Sequence, residues 1–177
     1  AETTTVEAAE ASDSKFSPKM STYIKTLGLR PKRGDLVQYP HPYGAELHAW
    51  EPTDTMVAGD AEEMYSPVKD TAFSWVTNEE ELAVLKHKLD AADVFAIDLE
   101  AHNYRTYFSF TCLMQISTRT EDFIVDTLAL RGQWHVLNSS FTNPKTVKVL
   151  HGADSDILWL QKDLGLYVVG MFDTGQA

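Results

Sequence analysis

Seven residues near the middle of the chain, Val94-Phe95-Ala96-Ile97-Asp98-Leu99-Glu100, constrain its fold more than any others. The run stays apolar until its last positions, the pattern of a strand buried in a sheet. Strand side chains alternate faces, so Phe95, Ile97 and Leu99 share one side while Ala96, Asp98 and Glu100 share the other. Two carboxylates at i and i+2 therefore point the same way, about 7 Å apart at the backbone. Ending a buried strand with two acids on one face is electrostatically costly unless a cation or hydrogen-bond donors compensate. Metal ligation is one answer, since side chains of this length reach a metal pair about 3.5–4 Å apart. The plain alternative is an acidic strand end at the mouth of a loop. A nucleotide-hydrolase reading of the same pattern needs an upstream G-x-x-x-x-G-K-[ST] loop, and the chain has none.

The elements around this strand set the fold class. Thr77-Asn78-Glu79-Glu80 predicts a capping box with Thr77 as cap, followed by Leu82, Leu85 and Leu89 at helical spacing up to Asp90. Residues 112–118 and 122–126 read as two further strands, and 128–138 as a helix flawed by Gly132. Residues 146–150 read as a short strand. A helix capped by Asp154 or Ser155 and closed by Gly165 follows, then a last strand over 167–172. This order predicts an α/β domain with a mixed sheet flanked by helices.

Upstream, residues 1–14 are rich in Ala, Glu, Thr and Ser and predict a disordered acidic tail. Residues 15–33 carry six bases and no acids, with apolar residues spaced for a short amphipathic helix. Four prolines and four aromatics interleave over residues 34–72. Prolines at this density exclude long helices and central strands, while the aromatics argue for burial. Residues 15–72 thus read as a basic segment and an extended arm packing on a folded domain at 73–177.

A second acidic cluster, His151-Gly152-Ala153-Asp154-Ser155-Asp156, opens the helix after the 146–150 strand. With Asp154 as the cap candidate, Asp156 is left free to face the strand carboxylates. Trp159, three residues on, shares its helix face. A carboxylate beside an exposed aromatic suits a metal next to a stacked base; a tryptophan packed in the core fits the pattern equally well. The histidines show no Cys/His zinc spacing. Cys112 is the single cysteine, which excludes an internal disulfide and fits a reducing compartment. No apolar stretch approaches the roughly 18 residues of a membrane helix, so no membrane partner is expected.

With these residues in hand, FAIDLEAHNYRTYFSFTCLMQISTRTEDFIVDTLALR and VKVLHGADSDILWLQKDLGLYVVGMFDT closely resemble the ribonuclease D-like (DEDD) 3′–5′ exonucleases of the eukaryotic nuclear exosome. The likeness is dense over 94–177 and thinner through YPHPYGAEL at 39–47. It implies a ribonuclease H-like exonuclease fold, of which this chain holds the N-terminal part. It also implies two divalent metal ions, Mg²⁺ or Mn²⁺, and hydrolysis that releases nucleoside 5′-monophosphates from single-stranded RNA 3′ ends. The family motifs place Asp98, Glu100 and Asp156 as metal-binding catalytic acids, and His102, Tyr104, Arg105 and Trp159 as nucleic-acid contacts. Where the family has two histidines after the glutamate, this chain has Ala101 first, a departure that bears on one substrate contact and not on metal binding. The resemblance further implies the nuclear exosome core and its cofactors as partners, rRNA and other nuclear RNA processing, and residence in the nucleus and nucleolus.

The family's Tyr-x-x-x-Asp motif, which brings a fourth acid, does not occur here. The expectation is therefore a chain inactive on its own, with a non-catalytic exosome- or RNA-binding fragment as the alternative. A formal net charge of −11 is unusual for a nucleic-acid binder. The excess lies upstream, however: residues 34–100 hold fifteen acids and three bases, and residues 101–177 hold seven acids and six bases. An enzyme that grips only a strand end through metal ions needs little basic surface.

Overall fold

The computed structural model describes residues 41–58 and 64–177. The expected acidic tail at 1–14 and the amphipathic helix within 15–33 lie outside them. A six-stranded mixed sheet organises the molecule: β1 (Ala72–Val76), β2 (Val94–His102), β3 (Phe110–Ser117), β4 (Glu121–Asp126), β5 (Val147–Leu150) and β6 (Met171–Asp173). Their spatial order is β1-β4-β3-β2-β5-β6. Only β3 pairs antiparallel to its neighbours, β2 and β4; β1–β4, β2–β5 and β5–β6 are parallel.

β1 is a strand that sequence reading missed, because Ala72-Phe73-Ser74-Trp75-Val76 lacks a continuous apolar run. It is an edge strand with Phe73 and Trp75 exposed on one face and Val76 buried on the other. The helix that follows, α3 (Glu79–Ala91), buries Leu82, Leu85 and Leu89 as expected, but its cap sits one residue later than predicted. Asn78, in extended backbone, accepts the Glu81 amide at 3.0 Å. Glu81, not Glu80, reaches back to accept the amide and hydroxyl of Thr77 at 2.7 and 3.1 Å.

The helix expected over 128–138 does not form. Gly132 adopts φ +87 there, a left-handed geometry that a helix cannot continue through. Upstream, the Asp126 carboxylate takes the amides of Leu128 and Ala129 at 3.0 and 2.9 Å and folds the chain into a turn. What remains helical is a 3-10 turn, Trp134–Leu137, running into α4 (Asn138–Phe141). The last strand is shorter than expected and shifted forward, Met171–Asp173, because Gly170 at φ +74 turns the chain just before it. A Cβ at Gly170 would meet Trp50 Nε1 at 3.0 Å and the Thr146 carbonyl at 3.2 Å, so the backbone there has room only for glycine.

The described part of the upstream segment is not wholly extended: it contains α1 (Gly44–Ala49) and α2 (Asp54–Val57). Tyr43 is buried and its hydroxyl accepts from Asn138 Nδ2 at 2.8 Å, while Trp50 Nε1 donates to the Pro144 carbonyl at 2.9 Å. Tyr65, by contrast, is exposed.

The core lies on one face of the sheet. Val76, Phe95, Ile97, Leu99, Met114, Ile116, Phe123 and Val125 join the α3 leucines, Leu137, Phe141 and Leu160 in one buried cluster. Burying such side chains stabilises the fold by about 1.5–3 kcal/mol each. The alternating positions, including Ala96, Asp98, Glu100 and Gln115, face the other way. Among the described residues no helix is long and apolar enough to cross a membrane.

Candidate functional site

Strand β2 carries the first two acids where its alternation predicts. Its odd positions, Phe95, Ile97 and Leu99, are buried, while Asp98 and Glu100 are exposed on the face away from the core. Across the antiparallel ladder Asp98 lies opposite Gln115 and Glu100 opposite Leu113. The ladder then slips by a bulge between Glu100 and Ala101, a device that bends a strand and re-aims its side chains. On the other side, pairing with β5 stops at Ala96–Val149, so β2 from Asp98 onward has no strand neighbour there.

Helix α5 (Asp154–Trp159), entered from β5 through His151–Ala153, packs against β2. Its Asp156 is 8% exposed, the most buried acid of the predicted set. Burial raises its carboxyl above the usual carboxylate range, and the negative charges of Asp98 and Asp173 push it the same way. The amides of Asp156 itself and of Leu99 oppose them in part. Helix α5 packs against β2, and the charge of Asp98 acts on Asp156 in the direction expected of two neighbouring acids.

The predicted caps of α5 are not used: neither Asp154 nor Ser155 makes a capping bond, and Ala153 stands at the cap position. Asp173, at the end of β6, does that work instead. Its carboxylate accepts the amides of Gly152 at 2.8 Å, Ala153 at 3.0 Å and Gly175 at 2.8 Å, and these donors, Ala153 first, hold it below the usual carboxylate range. No local pattern could have revealed the role of Asp173 at the helix, because Gly152 and Ala153 lie twenty residues or more away in sequence. Beyond Trp159 the helix widens into a π turn, Leu160–Leu164, closed by Gly165 as expected.

The expected contact residues separate into two places. His102, Tyr104 and Arg105 are exposed at the end of β2 and in the loop to β3, with the Arg105 guanidinium 5.1 Å from the centre of the Tyr104 ring. Arg105 holds φ 62, among the described residues the only positive value outside glycine. Trp159 is half-buried on α5 and packs against the core cluster.

The carboxylates are hard oxygen donors of the kind Mg²⁺ and Mn²⁺ prefer, and a buried acid pushed up by a neighbouring one is the environment a cation relieves. Donor type and charge therefore fit a divalent metal. Among the described residues, however, no group of three or more His, Cys, Asp or Glu side chains stands close enough to hold one.

Comparison with known proteins agrees with this frame. Human exosome complex component 10 is 52% identical over 139 residues, covering 78% of this chain and 16% of that protein. Exosome complex exonuclease RRP6 of Saccharomyces cerevisiae is 48% identical over 139 residues, covering 78% of this chain and 19% of that protein. The chain thus spans less than a fifth of the length of either relative. The crystal structure of the catalytic core of RRP6 from Trypanosoma brucei superposes with a TM-score of 0.74 at 41% identity, covering 76% of this chain and 38% of that one. The family model described as 3′–5′ exonuclease matches residues 73–177. That span runs from the second residue of β1 to the end of the chain and takes in Asp98, Glu100 and Asp156, so the chain belongs to the 3′–5′ exonuclease family.

Proposed function

We propose that this chain supplies the metal-binding acids of a 3′–5′ exoribonuclease that trims single-stranded RNA 3′ ends as part of the nuclear exosome. The observation that carries the reading is the match of residues 73–177 to the 3′–5′ exonuclease family, supported by the packing of α5, with Asp156 buried on it, against the strand that carries Asp98 and Glu100. Asp98, Glu100 and Asp156 would hold the divalent ions, which when bound supply Lewis-acid stabilisation of charge building at the scissile phosphate. Asp173 keeps α5, and hence Asp156, seated against β2. Tyr104 and Arg105 offer an aromatic face and a cation to the terminal nucleotide, and Trp159 offers a second ring. The exosome relatives support exosome association, and the proposal extends to RNA processing and to nuclear, including nucleolar, placement.

The test is Asp98→Asn in the protein that carries this chain, with Mg²⁺ or Mn²⁺ and a 3′-labelled single-stranded RNA. Nucleotide release should fall at least about a hundredfold, as for loss of a group that stabilises the transition state. Release at the wild-type rate would remove Asp98 from the site.

One observation favours a second reading, a non-catalytic exosome- or RNA-binding role: no three described acids converge closely enough for a metal. In that case the wild type binds RNA but releases no nucleotide with either metal.

A further inference from the structure

The loop that joins β2 to β3 holds two aromatic residues to which neither the sequence motifs nor the metal site gives a role. Tyr107 is fully exposed and Phe108 is 85% exposed, and Tyr104 on the same loop is 68% exposed. Three large aromatics held in water within five residues forgo burial that a fold normally takes. The loop is also free of acids in an otherwise acidic chain. Residues 101–109 contain Arg105 and no acid, although the whole chain carries −11.

Its far end is anchored. Lys162 Nζ donates to the Ser109 carbonyl, and the Asp163 carboxylate accepts both the amide and the hydroxyl of Thr111 at 2.9 Å. Both anchors lie in the π turn that continues the Asp156 helix. At its near end the loop grows from the bulge that follows Glu100. The aromatics are therefore presented from a root tied to both strand and helix of the acid site, and Arg105 packs over Tyr104 at 5.1 Å.

We infer that Tyr107 and Phe108 form a stacking platform for the bases of single-stranded RNA upstream of the 3′-terminal nucleotide. Aromatic faces beside a lone cation are how sequence-tolerant single-strand sites work: every base has a π face, and few phosphates need be neutralised. The inference rests on the exoribonuclease reading and adds a subsite to it. The platform makes the enzyme prefer a single-stranded tail over a bare terminal nucleotide, and it does so without sequence preference.

The test is equilibrium binding, with EDTA present, of a fluorescent oligouridylate of about ten nucleotides and of a dinucleotide to the protein that carries this chain. Tyr107→Ala and Phe108→Ala should each weaken binding of the oligouridylate about tenfold and leave the dinucleotide unchanged. Tyr107→Trp and Phe108→Trp should restore affinity, which a merely structural role would not require. The alanine effect should also vanish on an oligomer whose upstream residues are abasic. If the alanine variants bind the oligouridylate normally while Asp98→Asn still abolishes hydrolysis, the platform is wrong and the exoribonuclease reading stands. If the wild type neither binds nor hydrolyses RNA, both fall. An equal loss on oligouridylate and dinucleotide also overturns the platform, since the residues would then act at the terminal nucleotide.

Discussion

At the scale of single residues, Trp159 joins the packing of α5 to the proposed binding of RNA. Its ring is half-buried and lies against the core cluster, yet it sits three residues from Asp156. Trp159→Ala should weaken RNA binding by about 1–3 kcal/mol, the usual worth of a base stacked on an aromatic side chain. Titration of the same oligouridylate measures this, and circular dichroism shows that the fold survives. Unchanged affinity with intact folding would return Trp159 to the core alone. The acids were legible in sequence because strand alternation is a strict rule: Asp98 and Glu100 had to share a face once Phe95, Ile97 and Leu99 were buried. Asp173 and Asp163 were not, since each acts on amides supplied by distant segments, Gly152 and Ala153 for one and Thr111 for the other.

Among elements, β5 carries the most unusual group in the molecule. Lys148 is 0% exposed, and its Nζ donates to the carbonyls of Asn143, Thr146 and Val169 at 2.6, 2.8 and 2.8 Å. Burial pushes its pKa down to about 7. A lysine lowered in the folded state binds its proton less well there than in the unfolded chain. Folding stability should therefore rise with pH from about 7 towards the ordinary lysine value and be lowest below 7. Urea midpoints measured between pH 6 and pH 10 should show this climb, and Lys148→Met should flatten it; an equal climb in the variant would place its source elsewhere. In the sequence Lys148 was only the polar gap in a short apolar strand, and nothing local marks a lysine as buried. The elements that misread did so for equally physical reasons. The α3 cap moved to Asn78 because Glu81 can satisfy Thr77 from there. β1 escaped notice because an edge strand need bury only one residue, Val76.

For the molecule as a whole, the exoribonuclease reading makes charge the test of how RNA would be held. A protein with a formal charge of −11 cannot rely on a broad cationic surface, and the site described here offers Arg105 and Lys162 near its aromatic loop. Each phosphate neutralised on a single strand contributes about −0.7 to the slope of log affinity against log salt. Two such contacts give a slope of about −1.4, with most of the affinity left to stacking and metal. Residues 15–33 hold six further bases, and their engagement would steepen the slope well beyond about −4. Affinity for oligouridylate measured across a salt series separates the two cases in one experiment. A shallow slope is expected, because an enzyme that takes a strand end needs its charge at the end. A steep slope would instead assign the basic segment to RNA, and the binding energy would then lie mainly outside the sheet that carries Asp98 and Glu100.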